Sequence, residues 1–351
     1  MKKYIFSLAV ALLTLVSVFA QNDSIVKAKI LDDGSQDAEK LYNSGIADFS
    51  AKNYQSALNY FNQAIEKKAN FERAYFNRGT TKFELKDYAG ARADFERAIE
   101  ISPSAESFFE KGQCNAALAN KTAASDDYSK AVELKSDYAQ SYYYRGGIKF
   151  ENEDYKGAEE DFSQAIKFKS DYAYAYNDRG SARRLQNNFE GAISDYSQAL
   201  SLQANLPFTL NNRASAKRKK GDVSGAIEDY TAAIKLKSDY PEAYNNRGSA
   251  KFDSGDYEGA IADFSKAIDL KSDYSFAFNN RAAAKYKQKD YKGSAADCSK
   301  AIQYNPSYGY AYLNRGIARE MLREDEGACA DWKKAIELGV DAAKNYSGDC
   351  Q

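Results

Sequence analysis

Residues 139–172 read AQSYYYRGGIKFENEDYKGAEEDFSQAIKFKSDY, and residues 173–206 read AYAYNDRGSARRLQNNFEGAISDYSQALSLQANL. Aligned, the two stretches repeat one pattern: a small residue, Ala twelve positions on, an aromatic four later, and Ala three after that. Gly146, Ala158, Phe162 and Ala165 carry it in the first stretch, Gly180, Ala192, Tyr196 and Ala199 in the second. Gly248, Ala260, Phe264 and Ala267 carry it again. A fixed period of this length predicts a solenoid, in which each unit buries its apolar face only against its neighbours.

Working outward, nine units follow one another: 38–71, 72–104, 105–138, 139–172, 173–206, 207–240, 241–274, 275–308 and 309–342. Each reads as two amphipathic helices. Asn53, Asp87, Asn120, Asp154, Asn188, Asp222, Asp256 and Asp290 occupy the turn between them, where an Asx side chain can cap the second helix. Ser-Asp pairs at 136–137, 170–171, 238–239 and 272–273 are expected to cap the next first helix. All four prolines fall at unit joints, where a missing N–H costs little. Small residues such as Gly146 and Ala158 let paired helices approach closely, while Tyr142 and Phe162 fill the space between units.

These residues resemble the tetratricopeptide-repeat family over 38–342, with Ser294 in place of the usual second-helix Ala in the eighth unit. The resemblance implies an all-α, right-handed superhelical solenoid of about nine helix-turn-helix units. It also implies an interaction scaffold that holds a protein or extended peptide in a concave groove. Residues 343–351 read as a C-terminal cap and tail, with a short capping helix expected there.

The first 20 residues, with Lys2 and Lys3 before the apolar run YIFSLAVALLTLVSVFA, read as a secretory signal cleaved after Ala20; an uncleaved anchor is the alternative. A polar linker, 21–37, follows. The mature chain is then periplasmic or secreted, of bacterial type, without stable membrane insertion. Lys and Arg total 49 against 50 Asp and Glu, so no global charge draws the chain to nucleic acid. Histidine is absent, which removes Ser-His-Asp and Cys-His nucleophile activation and imidazole zinc sites. No catalytic constellation, cofactor or metal is expected. Cys114 and Cys298 replace small or aromatic core residues, whereas Cys329 and Cys350 could form a disulfide pinning the C-terminus.

Three columns of residues are candidates for function. At the sixth position of the unit stand Asn43, Asn77, Asn212, Asn246, Asn280 and Asn314, a ladder of carboxamides able to bond a peptide backbone without reading its sequence. This ladder resembles the repeat domains of O-GlcNAc transferases, which implies a peptide-holding role; Glu110, Tyr144 and Asp178 depart from it. Beside it lie aromatics, Tyr42, Phe76, Phe109 and Tyr143 at the fifth position and Tyr174, Phe208, Phe276 and Tyr310 at the second. They would line the groove as hot-spot anchors or sugar-stacking platforms, or else pack between units. Third, Arg at the seventh position and Lys or Arg one turn on face a matching Asp column on the second helices, read as a structural ion-pair network rather than an anion-binding strip. The carboxylate clamp of chaperone-tail-binding relatives is absent. An envelope glycan-binding module and a purely structural spacer remain the alternatives to a peptide scaffold.

Overall fold

A computed structural model describes residues 36–350, so the expected signal segment and all but the last two linker residues lie outside it. The described chain is all-α and falls into two compact units that divide at Ala182–Arg183. The first holds α1 (Gln36–Ser50), α2 (Tyr54–Lys67), α3 (Glu72–Glu84), α4 (Tyr88–Ile101), α5 (Ala105–Ala117), α6 (Lys121–Leu134), α7 (Ala139–Glu151) and α8 (Tyr155–Phe168). The division falls within α9 (Ala173–Leu185). The second unit continues with α10 (Phe189–Leu202), α11 (Pro207–Lys220), α12 (Val223–Leu236), α13 (Pro241–Asp253) and α14 (Tyr257–Leu270). It ends with α15 (Ser275–Lys287), α16 (Tyr291–Tyr304), α17 (Gly309–Met321) and α18 (Asp325–Glu337). These are the helix pairs of the all-α repeat expected from the period. Linker residues Gln36 and Asp37 already belong to α1.

The pairs close on the small-aromatic motif. A Cβ placed on Gly146 would lie 3.0 Å from the Phe162 ring and 3.1 Å from Asp161 Cβ, and one on Gly248 only 2.8 Å from Phe264. Phe162 and Phe264 are buried with their flanking alanines, so the crossing leaves no room for a side chain. Where the eighth repeat carries Ala282 instead of glycine, the aromatic slot holds the smaller Cys298, buried as expected, like Cys114.

Capping follows a rule that the Asx column alone does not reveal. Asp87, Asp154, Asn188, Asp222, Asp256 and Asp290 accept from the backbone N–H three residues on, at 2.9–3.0 Å, and that residue is always glycine. A Cβ there would sit 2.1 Å from the carboxylate of Asp87 or Asp256. Asn53 and Asn120, followed at that distance by Ser56 and Ala123, make no such bond. The Ser-Asp pairs do not serve as expected either: the N-cap of α7, α13 and α15 is the tyrosine that follows them, and its side chain caps nothing. Those tyrosines pack instead as plugs between repeats.

The turn inside each pair also carries a left-handed residue, and in seven repeats it is not glycine: Lys52, Lys86, Ala119, Glu153, Asn187, Lys289 and Arg323, all near φ +60°. Packing imposes this conformation against the intrinsic preference of L-residues. At the C-terminus, two short 3-10 turns (Asp341–Asn345 and Ser347–Asp349) stand where a capping helix was expected. Cys329 and Cys350 are joined, their Cα atoms 5.5 Å apart, and hold those turns over the last pair.

The sixteen-residue spacing from Arg to Asp organises the interior. Arg78, Arg145, Arg213, Arg247, Arg281 and Arg315 each grip the Asp of their own repeat through two N–H groups at 2.6–2.9 Å. A second cation reaches the same carboxylate at 2.7–2.9 Å, such as Lys149 on Asp161 or Lys251 on Asp263. Each guanidinium donates a further N–H to the preceding repeat: Ser129, Ser197, Thr231, Ser265 and Ser299 accept at 2.9–3.2 Å, and Asn62 Oδ1 accepts from Arg78 at 2.8 Å. The structural reading of the charge columns therefore holds, with a hydroxyl column added to it.

Asp263→Ala strands two cations, one of them the 16 %-exposed Arg247, and is expected to cost about 3 kcal/mol, the scale for breaking a buried pair on one side. Urea unfolding of the full chain measures this; a loss below about 1 kcal/mol would reduce the network to a surface ion pair. Ala119→Gly has the opposite sign: removing the Cβ from a residue at φ 61° raises stability by about 1 kcal/mol, read in the same assay.

Candidate functional site

The first helices of successive repeats touch one another in each unit, α1 with α3, α3 with α5, α11 with α13, α13 with α15 and α15 with α17. Their fifth and sixth positions meet across these contacts. Asn246 Nδ2 donates to Asn211 Oδ1 at 3.1 Å, Asn280 Nδ2 to Asn245 Oδ1 at 3.0 Å, and Asn314 Nδ2 to Asn279 Oδ1 at 2.9 Å. In the first unit the same relation joins Asn77 Nδ2 to Tyr42 Oη at 2.7 Å, and Tyr143 Oη to Asp178 Oδ2 at 2.8 Å. The row is thus cross-braced by these five bonds, always between residues 35 apart. Asn211, Asn245 and Asn279 are buried acceptors, whereas Asn246, Asn280 and Asn314 stay partly exposed. Asn43 is exposed and Asn212 partly so.

One N–H of each braced amide is spent, and the Asn246 oxygen also accepts from Asn245 Nδ2 at 3.5 Å, which leaves the second N–H and at least one oxygen lone pair of each amide for a ligand. The brace also fixes the rotamer, so these groups are pre-oriented before anything binds. Sequence reading recognised the sixth-position column and missed its partners; the signal was the parallel Asn column one position earlier.

The aromatic column is largely a correction. Tyr42 and Phe109 do not line a surface: they are 0 % and 4 % exposed. Tyr42 packs 5.1 Å from Phe71 and Phe109 packs 5.1 Å from Tyr138, both rings at the joint before a first helix. Phe76 sits edge-on to Phe95, and Tyr143 is wedged between Phe162 and Tyr172. The fifth position faces the neighbouring helix, so a large ring there fills the seam between repeats instead of meeting solvent. At the second position Phe208 and Phe276 pack edge-on against Tyr240 and Tyr308, and only Tyr174 and Tyr310 are exposed, at 41 % and 54 %.

The three departures from the ladder cluster in the first unit, and their electrostatics are unusual. Asp178, accepting from Tyr143 and Asn177, has its pKa pushed up to about 6 by burial against those two bonds. Tyr144 stacks on Tyr128 at 5.8 Å, and burial raises its hydroxyl to about 12. Glu110 is 8 % exposed, and burial, then the Glu84 carboxylate, push it up to about 8. Among the described residues no group of three or more His, Cys, Asp or Glu side chains could hold a metal, and no helix is long and apolar enough to cross a membrane.

A family model described as tetratricopeptide repeat matches residues 42–106 and 145–207, and one described as TPR repeat matches 214–254 and 248–289, together more than half of the chain. The chain belongs to the tetratricopeptide-repeat family. No curated protein matches this tetratricopeptide-repeat chain at a significant level. Among solved structures it is similar to the C-terminal part of a TPR repeat-containing protein from Cytophaga hutchinsonii, with TM-score 0.57 and 19 % identity over 68 % of this chain and 98 % of that one. A tetratricopeptide-repeat protein from Parabacteroides merdae aligns with TM-score 0.51 and 17 % identity, over 71 % and 99 % of the two chains. The APC/C hetero-tetramer Cut9–Hcn1 aligns with TM-score 0.57 and 13 % identity, over 97 % and 81 %. At these identities the likeness is one of fold.

Glu110 makes a pH signature measurable. The folded state keeps its proton up to about pH 8, whereas an unfolded carboxyl releases it near 4.5. Over that window the folded chain binds more protons, so stability falls as pH rises, by at most about 1.4 kcal/mol per pH unit. Glu110→Gln should flatten this part of the Tm-against-pH curve; an unchanged slope would place the proton elsewhere.

Proposed function

We propose that this chain, whose repeats support a protein–protein interaction scaffold, acts in the cell envelope after export, without catalysis of its own, by holding an extended peptide segment along the first-helix face. The observation that carries this reading is the braced asparagine row: Asn246, Asn280 and Asn314 each donate one N–H backward and stay partly exposed, with a second N–H not used in the brace. A peptide backbone alternates donors and acceptors, and a row of amides held in one orientation complements it whatever the side chains are. Because the bracing bonds already hold the rotamers, binding loses little side-chain entropy. Export is supported by the basic-then-apolar start of the sequence, and by the Cys329–Cys350 link, which suits an oxidising compartment.

The aromatic stacking platforms that would favour a glycan ligand are mostly occupied in packing, which lowers the weight of that alternative. The test is photocrosslinking in envelope extract from a photo-reactive residue at the exposed Tyr310, compared between an otherwise wild-type chain and one that also carries Asn246→Ala, Asn280→Ala and Asn314→Ala. A discrete crosslinked polypeptide, lost in the variant while its circular-dichroism melt still shows a cooperative fold, is the expected result. Retention of labelled oligosaccharide with no crosslinked polypeptide would overturn the peptide reading.

A further inference from the structure

The brace between fifth and sixth positions fails at two seams of the first unit, Phe76 before Glu110 and Phe109 before Tyr144. Asn77 bonds back to Tyr42 and Asp178 to Tyr143, but the fifth-position residue one repeat before Glu110 is Phe76, which has no polar atom to offer. Glu110 is consequently left over: it is 8 % exposed, and no hydrogen-bond donor or cation among the described residues reaches its carboxylate. Its one charged neighbour of consequence, Glu84, has the same sign.

It is not alone. Gln113 lies one turn along α5 from Glu110, and its buried Nε2 has no partner; nor has the hydroxyl of Tyr128, a ring that is 1 % exposed. That hydroxyl, with those of Tyr138 and Tyr144, lies within the electrostatic reach of the Glu110 carboxylate. Phe109 packs 5.8 Å from Tyr128, 5.1 Å from Tyr138 and 5.7 Å from Tyr144, so the unmet groups are set among four aromatic rings. Burying polar groups without partners is costly, and the chain carries this cost in one spot.

We propose that the Glu110 carboxylate receives a basic side chain, lysine or arginine, of a peptide held along the first-helix face of the first unit. The assignment rests on the peptide-scaffold reading above and names which residue of the ligand matters. An ammonium or guanidinium supplies the donor that the carboxylate lacks, and aromatic faces attract cations. The sixth positions on either side, Asn77 and Tyr144, are partly exposed, so a chain following that row passes Glu110. A cation paired with Glu110 also releases the proton that it otherwise holds, which links binding to pH.

A random nonapeptide library displayed on phage and selected on the full chain tests this. Enriched peptides are expected to share one lysine or arginine at a fixed place. A synthetic representative should bind Glu110→Gln at least roughly tenfold more weakly, the scale of one charge-assisted hydrogen bond. Replacing that basic residue by norleucine should cost the same in the wild type and little more in the variant. Titration calorimetry at pH 7 in two buffers of different ionisation enthalpy should show proton release for the wild type and none for Glu110→Gln, a difference that a merely structural role would not produce. Enriched peptides without a shared basic residue, or equal affinity for the variant, overturn the role of Glu110 while leaving the scaffold reading intact. No enrichment at all, from a chain that melts cooperatively, overturns both.

Discussion

The bonds of the arginine at the seventh position, present in seven of the nine repeats, are the interaction on which the rest depends. One planar group holds the Asp of its own second helix with two N–H bonds, reaches a hydroxyl on the preceding repeat, and lies over an aromatic ring three residues earlier, as Arg145 does with Asp161, Ser129 and Tyr142. Because the aspartates are only 3–6 % exposed, each needs nearly complete compensation, and a second cation supplies it. The geometry demands a forked, always-charged donor, which lysine is not. The third repeat illustrates the consequence: Lys111 and Asn115 stand in for the two cations around Asp127, and there burial wins, raising the carboxyl above its ordinary pKa. The first repeat, with Ser44 and Tyr60 at the corresponding positions, has no such pair and no preceding repeat to brace.

A second system of bonds is laid over this frame on the first helices. Fifth and sixth positions of adjacent repeats exchange one hydrogen bond each, using amides in the second unit and tyrosine with asparagine or aspartate in the first. The same contact therefore does two things: it ties neighbouring repeats together and sets the orientation of the partly exposed amides. Where the fifth position becomes phenylalanine, at Phe76 and Phe109, the tie is lost; after Phe76 the buried Glu110 carboxylate is left without a donor, near the unpartnered Gln113 Nε2 and Tyr128 hydroxyl.

The period, the helix pairs, the close glycine–aromatic crossings and the Arg–Asp columns were all legible from one chain, because each rests on contacts that recur at a constant offset. Gly146 opposite Phe162 and Arg145 opposite Asp161 need no knowledge of the global path. What escaped were choices between two residues at one place. Asn120 resembles Asp154 as a cap and makes no cap bond, since Ala123 stands where Gly157 would admit it. Tyr42 and Phe109 look like surface anchors and are seam fillers.

By itself the sequence determined the fold class, since a repeated small–Ala–aromatic–Ala spacing can bury its apolar faces only by stacking like on like. It also determined the ion-pair lattice, whose partners sit sixteen residues apart within a repeat. Only the tertiary structure decided which side of the fifth position faces a neighbour, that the asparagines are braced in steps of 35, and that Cys329 and Cys350 come within 5.5 Å. The physical reason is that exposure and pairing across a seam depend on how two helices meet, and a one-letter code records which residue is present but not what stands opposite it.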